Sequence, residues 1–463
     1  MEPKSCQVFS VTRQQPELII PARPLPREVK RLSDIADQQG LRFLMPVLFF
    51  YRNNASPFMK GKDPVKVIRE ALSKALVFYY PLAGRLQEGP NKKLMVDCNG
   101  KGILFIEADA NVTLEQLGDE INPPFPYWNE VMYDVPGSRG IIGCPLLFIQ
   151  VTRLRCGGFI LALFFNHTML DGAGLIKFLK AVVELANGAY SPSVMPVWQH
   201  NILSARDSPR ITCTHHEYEI VEESKGDANS GTEPLEHKSF YFGQKEISTI
   251  RNNISQNLRN STTFEILAGY IWRCRTAALK LHPDQIVRYS CVVNMRGKHY
   301  DILPPGYYGV GFACPAARTK VDDLCNKPLG YAVELVKNAK AKMNEEYIKS
   351  VADFMVLMGR PKFTPEGNFL VSDITSLGCD EIDFGWGKPV YGGVPEGTSM
   401  IGYHEKYKNK DGEVGTIVVM CLPRSAMERF EKELKKITQG SVEDLYTMKM
   451  KMKMKHTRIL SKF

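Results

Sequence analysis

Apolar residues recur along this chain in two rhythms. From Pro64 to Tyr80 the stretch PVKVIREALSKALVFYY spaces them three and four apart, which predicts a helix with one buried face that stops at the turn Pro81 to Gly84. GLIKFLKAVVELANG (174–188) repeats that rhythm, with Leu175, Leu179, Val182 and Ala186 on one stripe and Asn187-Gly188 at its end. STTFEILAGYIWRCRTAALKL (261–281) opens with Ser/Thr caps on a third, more uniformly apolar helix. Elsewhere the apolar residues form short unbroken runs. LLFIQVTRL (146–154), FILALFF (159–165) and IVRYSCVVNMR (286–296) have the length and side-chain content of buried strands. KLMVDCNG and GILFIEA (93–108) read as a strand pair joined at Asn99-Gly100.

Helical and strand-like segments alternate on both sides of one break. From Tyr190 to about Gly231 the periodicity vanishes, and SPSVMPVWQH, ARDSPRITCTHHEYE and EESKGDANSGTEP crowd together proline, serine, glycine and asparagine. At 463 residues the chain is too long for one ordinary core. It reads as an α/β protein of two similar-sized mixed halves: an N-terminal domain over 1–190, a linker over 191–231, a C-terminal domain over 232–447 and a basic tail over 448–463.

Composition narrows the setting. A content of 44% hydrophobic and 24% charged residues suits a globular protein, and no apolar run approaches the roughly 20 residues of a membrane span. The start, MEPKSCQVFSVTRQQPELI, has no apolar core behind a basic patch, and the 11 cysteines include no C-x-x-C pair. Both suit reduced thiols in the cytoplasm rather than secretion. The net charge of +9 is mostly local: the tail MKMKMKMKHTRILSKF holds six of the 59 basic residues and no acid, leaving 53 against 50 elsewhere. A repeating Lys/Met end reads as a frayed, solvated segment, and the rest of the chain has no charge excess suited to nucleic acid.

The candidate chemistry sits in FFNHTMLDGAG (164–174), where a buried strand ends at Phe165, a turn carries His167 and a helix begins near Gly172. Strand-to-helix junctions often present reactive groups on a rigid frame. Asp171 also stands where a helix N-cap would, and a His-x-x-x-Asp spacing arises by chance about once in every two chains of this length. Rival chemistries lack their residues. There is no G-x-S-x-G, no GxxxxGK[ST], no GxGxxG after a strand and no H-E-x-x-H; His215-His216-Glu217 has the residue types without the spacing. No metal ligand set is predicted. A lone general base remains.

Two further stretches, YPLAGRL (Tyr80 to Leu86) and DFGWGKP (Asp383 to Pro389), read singly as a helix exit and as a glycine turn around a packed Trp386. In order with His-x-x-x-Asp-Gly they carry a resemblance. From about Gln7 to about Leu445 the chain resembles the plant acyl-CoA-dependent acyltransferases of the BAHD family. QPELIIPARPLP, LSDIADQQGLRF, ITCTHHEYE and NEEYIKSVADFMV are similar to its branch of alcohol acyltransferases and benzyl alcohol O-benzoyltransferases. The resemblance implies two domains of the chloramphenicol acetyltransferase type, joined by a crossover loop, with the active-site channel at their interface. It implies a monomer that takes acyl-CoA as a co-substrate, needs no cofactor, and acylates a small hydroxylated acceptor with His167 as general base and no covalent intermediate. It further implies that Asp171 points away from the imidazole and pairs with Arg296 of VVNMRGK, supporting the site together with Gly172. Asp383, Phe384, Gly385, Trp386 and Gly387 are implied to form a structural loop that shapes the coenzyme A end of the channel.

Two departures from the family pattern stand out. A Thr-Ser-Trp stretch whose indole helps to hold the oxyanion reads Ser372-Asp373-Ile374 here, leaving main-chain N–H groups, Thr375 or water for that task. YYGVG (307–311) has Val310 where the family has asparagine. The acceptor stays open between a small primary alcohol, with a benzoyl or short aliphatic donor, and an alkaloid hydroxyl; a non-catalytic member of the fold is the remaining reading. Phe164, Phe165, Met169 and Leu170 place apolar bulk near His167, although strand alternation sends at least two of them into the core.

Overall fold

The computed structural model describes residues 9–219, 233–297, 302–363 and 367–438. The tail over 448–463, the last part of the linker (220–231) and residues 439–447 of the C-terminal half lie outside the described residues.

Two sheets carry the fold. The first orders its strands Val11–Arg13, Ile103–Ala110, Leu147–Arg153, Phe159–Asn166, Leu44–Tyr51 and Tyr391–Gly393, with Glu17–Ile19 also paired to Ile103–Ala110. The second runs Leu235–Phe242, Val414–Pro423, Ile401–Lys408, Asn368–Asp373, Ile286–Cys291 and Ala316–Lys320. Both are mixed, parallel between Ile103–Ala110 and Leu147–Arg153 in the first and on both sides of Asn368–Asp373 in the second. Helices Pro64–Phe78 and Gly172–Ala186 pack together beside the first sheet, and Thr263–Leu279 packs with Leu329–Ala341 and Arg424–Thr438 beside the second.

Local chemistry explains the helix starts. Asp63 accepts from the Val65 N–H at 3.1 Å with Pro64 in the first turn, and Thr262 and Glu265 exchange bonds reciprocally, Glu265 N–H to Thr262 Oγ1 at 3.2 Å and Thr262 N–H to Glu265 Oε2 at 2.9 Å. The strand Phe159–Asn166 is buried at every residue between Leu147–Arg153 and Leu44–Tyr51, as an unbroken apolar run requires.

Two elements differ from their expectation. Leu94–Asp97 and Ile103–Ala110 are not a hairpin: the former joins a separate three-stranded sheet with Val29–Arg31 and Arg85–Glu88. The chain turns away between them because the Cys98 N–H donates to Glu28 O at 2.8 Å and the Gly102 N–H to Ala83 O at 2.9 Å. The run 286–296 is not one strand either. It breaks at Val292, whose N–H donates to Val371 O at 3.0 Å, and Val293–Asn294 then pairs with Phe312–Ala313. That break aims Arg296 toward the first half.

The two halves are tied by an exchanged strand. Tyr391–Gly393 follows the DFGWG stretch in sequence, yet it pairs with Leu44–Tyr51 of the first sheet. Glu405 on the second sheet accepts from the Val394 N–H at 2.9 Å and from the Tyr391 hydroxyl at 2.7 Å. Burial pushes its carboxyl up to about 7, so this tie is held by a carboxyl group poised near neutrality. The described residues of the 191–231 stretch, expected to be a linker, are also clamped. Val197 bridges to Tyr307, Trp198 stacks on His200 at 3.9 Å, and Asp353 accepts from the Arg206 main chain and guanidinium at 2.8 and 2.7 Å.

Candidate active site

His167 sits in a tight turn immediately after the buried strand. The Asn166 side chain accepts from the Thr168 N–H at 3.1 Å and from the Thr168 hydroxyl at 2.7 Å, while the His167 N–H donates to Phe43 O at 3.0 Å. The imidazole lies among the rings of Phe43, Phe165 and Phe312, at centroid distances of 5.2, 5.5 and 5.8 Å. Its Nδ1 is buried without a hydrogen-bond partner, which leaves Nε2 as the nitrogen open to the adjoining cavity. Burial pushes the imidazole pKa below its usual 6.5, offset in part by its own main chain and by the charge on Asp171.

Asp171 takes two roles at once. Its Oδ1 accepts from the Gly174 N–H at 2.8 Å as the N-cap of Gly172–Ala186, and its Oδ2 accepts from Arg296 Nη1 at 2.7 Å and from the Gly311 N–H at 2.9 Å. The carboxylate thus spends its acceptors on the helix and on the 307–311 turn. Arg296 completes that knot by donating to Tyr307 O at 3.2 Å and to Gly309 O. Val310 is fully buried, and its carbonyl accepts from the Tyr307 hydroxyl at 3.2 Å.

The glycines at the helix entrance differ in what they permit. A Cβ on Gly172 would meet only the mobile end of Leu377 at 2.9 Å, whereas one on Gly174 would lie 1.9 Å from the Tyr308 carbonyl oxygen. Gly174→Ala is therefore expected to lower stability by about 1–3 kcal/mol, read by thermal or urea unfolding, because main chain must shift to admit the methyl group.

A cavity of about 360 Å³ opens between the two sheets. Phe43, Met45, Phe165 and His167 line it from the first half, and Phe312, Leu370, Ser372, Ile374 and Tyr403 from the second. Of the four apolar residues near His167, only Phe165 lines it; Phe164 stands edge-on to Trp128 at 5.3 Å, and Met169 and Leu170 are core.

None of Asp383, Phe384, Gly385, Trp386 and Gly387 lines this cavity. They pack against the first half instead. Phe384 stands edge-on to Tyr51 at 6.0 Å, Trp386 stands edge-on to Phe159 at 5.7 Å, and Gly385 accepts from the Ser56 N–H at 2.8 Å. Gly385 has φ +98°, and a Cβ there would lie 2.5 Å from Met59 Cγ, so only glycine fits this turn.

Residues 374 and 375 have already used the donors expected of them. The Ile374 N–H donates to His404 O at 2.9 Å, and both the N–H and the hydroxyl of Thr375 donate to Asp373 Oδ1, at 3.0 and 2.6 Å.

A family model described as the Transferase family matches residues 9–437. Over 459 residues the chain is 55% identical to alcohol acyl transferase 1 (allele GSa) of Malus domestica, covering 98% of each chain. This chain belongs to the BAHD acyltransferases. It is also 54% identical over 441 residues to a benzyl alcohol O-benzoyltransferase of Petunia hybrida, covering 94% of this chain and 95% of that relative. The crystal structure of F. sporotrichioides TRI101 complexed with coenzyme A and T-2 has the same fold, with a TM-score of 0.71 at 17% identity, covering 90% of this chain and 99% of that one.

This BAHD chain contains one constellation that its sequence concealed. Ser350 Oγ lies 2.8 Å from His215 Nε2, and His215 Nδ1 lies 3.2 Å from Glu217 Oε1. The order serine–histidine–carboxylate suggests an activated nucleophile. Its surroundings exclude that role. Ser350 and Glu217 have no exposure, none of the three lines the cavity, and Ser350 Oγ also accepts from the N–H groups of Thr212 and Cys213 at 3.0 Å each. With the Tyr347 hydroxyl on Glu217 at 2.8 Å, the group fastens residues 212–217 to the helix Glu345–Leu357. Among the described residues no group of three or more His, Cys, Asp or Glu side chains could hold a metal ion, and no helix is long and apolar enough to cross a membrane.

Proposed function

We propose that this chain transfers an acyl group from coenzyme A to the hydroxyl of a small hydrophobic alcohol, with His167 as the general base. The observation that carries the reading is the open Nε2 of His167 at the edge of an apolar cavity built by both halves. An alcohol is a weak nucleophile at neutral pH, so its proton must leave as its oxygen attacks. His167 Nε2 takes that proton while the alcohol oxygen bonds to the thioester carbon and the carbonyl electron pair moves onto oxygen. When the pair returns, the carbon–sulfur bond breaks, and the histidinium protonates the departing thiolate. The products are an ester and free coenzyme A, and the enzyme carries no acyl group at any stage. Asp171 and Arg296 act indirectly, by fixing the turn and the helix on either side of the base.

The apolar lining and the named activities of the two plant relatives favour a benzoyl or short aliphatic donor and a small alcohol such as benzyl alcohol. Incubation with benzoyl-CoA, acetyl-CoA or hexanoyl-CoA, each with benzyl alcohol and with a bulky alkaloid alcohol, tests this. Ester formation with benzyl alcohol is expected; ester formation only with the bulky acceptor would overturn the acceptor assignment.

The same reading fixes a pH dependence. The base works only when unprotonated, and burial has moved its pKa below 6.5. kcat/KM is therefore expected to rise with pH through that lowered value and to level off at a lower pH than a free imidazole would allow, because this ratio reports the free enzyme. An acid limb centred above 6.5 in a pH–rate profile would contradict the assignment.

A further inference from the structure

An acyl transfer at this cavity needs a donor for the carbonyl oxygen as it gains negative charge, and losing one such donor typically costs a factor of about 10²–10³. The donors expected at residues 374 and 375 are spent. Apart from His167, the described lining residues with N–H or O–H side chains are Gln38, Tyr218, Ser372, Thr398 and Tyr403. Gln38 donates to Ile35 O at 2.8 Å, Tyr218 donates to Gln38 at 2.5 Å, and Thr398 is exposed at the rim. Gln38 keeps a second amide N–H, but Ser372 and Tyr403 form a pair, opposite each other in register on adjacent parallel strands and facing the same way into the cavity.

Tyr403 is the stronger of the two. It is 96% buried, and the partner of its hydroxyl is the Met45 thioether at 3.8 Å, a weak acceptor that leaves the O–H poorly satisfied. Met45 is the register partner of Phe165, whose ring lies beside His167, and Phe43, two residues earlier on the same segment, holds the His167 N–H. The phenol therefore stands over the part of the first sheet that carries the base. Burial and the nearby Glu405 raise its pKa, so it stays protonated and able to donate.

We propose that the Tyr403 hydroxyl donates the hydrogen bond that holds the acyl carbonyl oxygen during transfer. The proposal rests on the acyl-transfer reading above. Tyr403 keeps its proton throughout; only the charge on the oxygen it faces changes.

The test is Tyr403→Phe, which deletes one oxygen and keeps the ring. With benzoyl-CoA and benzyl alcohol, kcat is expected to fall on the order of 10²-fold while KM for the donor stays within about threefold, the pattern of a hydrogen bond that is weak in the bound donor and strengthens in the transition state. Ser372→Ala, measured alongside, is expected to show the smaller fall. A second reading needs no turnover: the carbonyl stretch of ¹³C-labelled benzoyl-CoA bound to His167→Ala is expected to move to higher wavenumber when Tyr403→Phe is added. A Tyr403→Phe enzyme with unchanged kcat, or a carbonyl stretch that does not move, overturns the proposal, as does a larger loss in Ser372→Ala. Wild-type protein that binds donor but makes no ester would overturn the acyl-transfer reading, while the infrared shift would still decide the hydrogen bond.

Discussion

His167→Ala is expected to lower kcat by about 10²–10⁴-fold, with little change in KM for either substrate and an intact fold. The effect is large because, among the described residues, His167 is the only histidine or carboxylate side chain that lines the cavity. The carboxylate of Asp171 is committed to Gly174, Gly311 and Arg296, and His200, His215 and His404 do not line the cavity. His200 stacks on Trp198 with its pKa held at about 3 by burial, and His215 is bonded to Glu217 and Ser350. The fold should tolerate the loss because the imidazole makes ring contacts but its Nδ1 has no partner to lose. Steady-state kinetics with circular dichroism and thermal melting read both parts. A variant retaining more than about a tenth of wild-type kcat would remove His167 from the role of base.

Arg296→Met carries the second large effect, and it acts on stability before chemistry. The ion pair with Asp171 is nearly enclosed, with 10% and 6% side-chain exposure, so removing the guanidinium leaves a buried carboxylate held by two main-chain N–H groups, with no cation hydrogen-bonded to it. Breaking such a pair from one side typically costs about 3–5 kcal/mol. The 307–311 turn also loses its anchors at Tyr307 and Gly309, and the Gly172–Ala186 helix that follows the His167 turn shares the same carboxylate. A melting temperature lowered by several degrees and a kcat reduced at least tenfold are expected. Adding Asp171→Asn removes the stranded charge, so the double variant should be less destabilised than the two single losses together. Strict additivity would show that the pair is not what holds the turn.

How far these features could be read from sequence depended on how local their causes were. Asp63 before Pro64, Thr262 before Glu265 and Asp171 before Gly174 set helix starts within a few residues, and the apolar runs at 147–166 could only be buried strands. The junction at His167 followed from those two signals meeting. Asp171 read from its position as a candidate N-cap, while its ion pair with Arg296 was implied only by the family resemblance; its two oxygens let it be both, which no spacing could reveal. The hairpin expected at Asn99-Gly100 failed because a four-residue strand takes the partner that long-range packing brings, here Val29–Arg31. The strand exchange at Tyr391–Gly393 joins residues some 340 positions apart and leaves only a short Tyr-Gly-Gly in the sequence. Tyr403 was hidden for a related reason. In Ile401–Lys408 the cavity side and the far side alternate, but IGYHEKYK carries polar groups on both, so the pattern does not say which face is functional until the second sheet meets the first.

The most direct test of direct acyl transfer is a single-turnover measurement in which free thiol and ester are quantified together, with benzoyl-CoA bound before benzyl alcohol is added. Thiol and ester are expected to appear at the same rate and in equal amounts, and only after the alcohol arrives. A burst of thiol before the alcohol, with benzoyl left on the protein, or thiol released without matching ester, would contradict it.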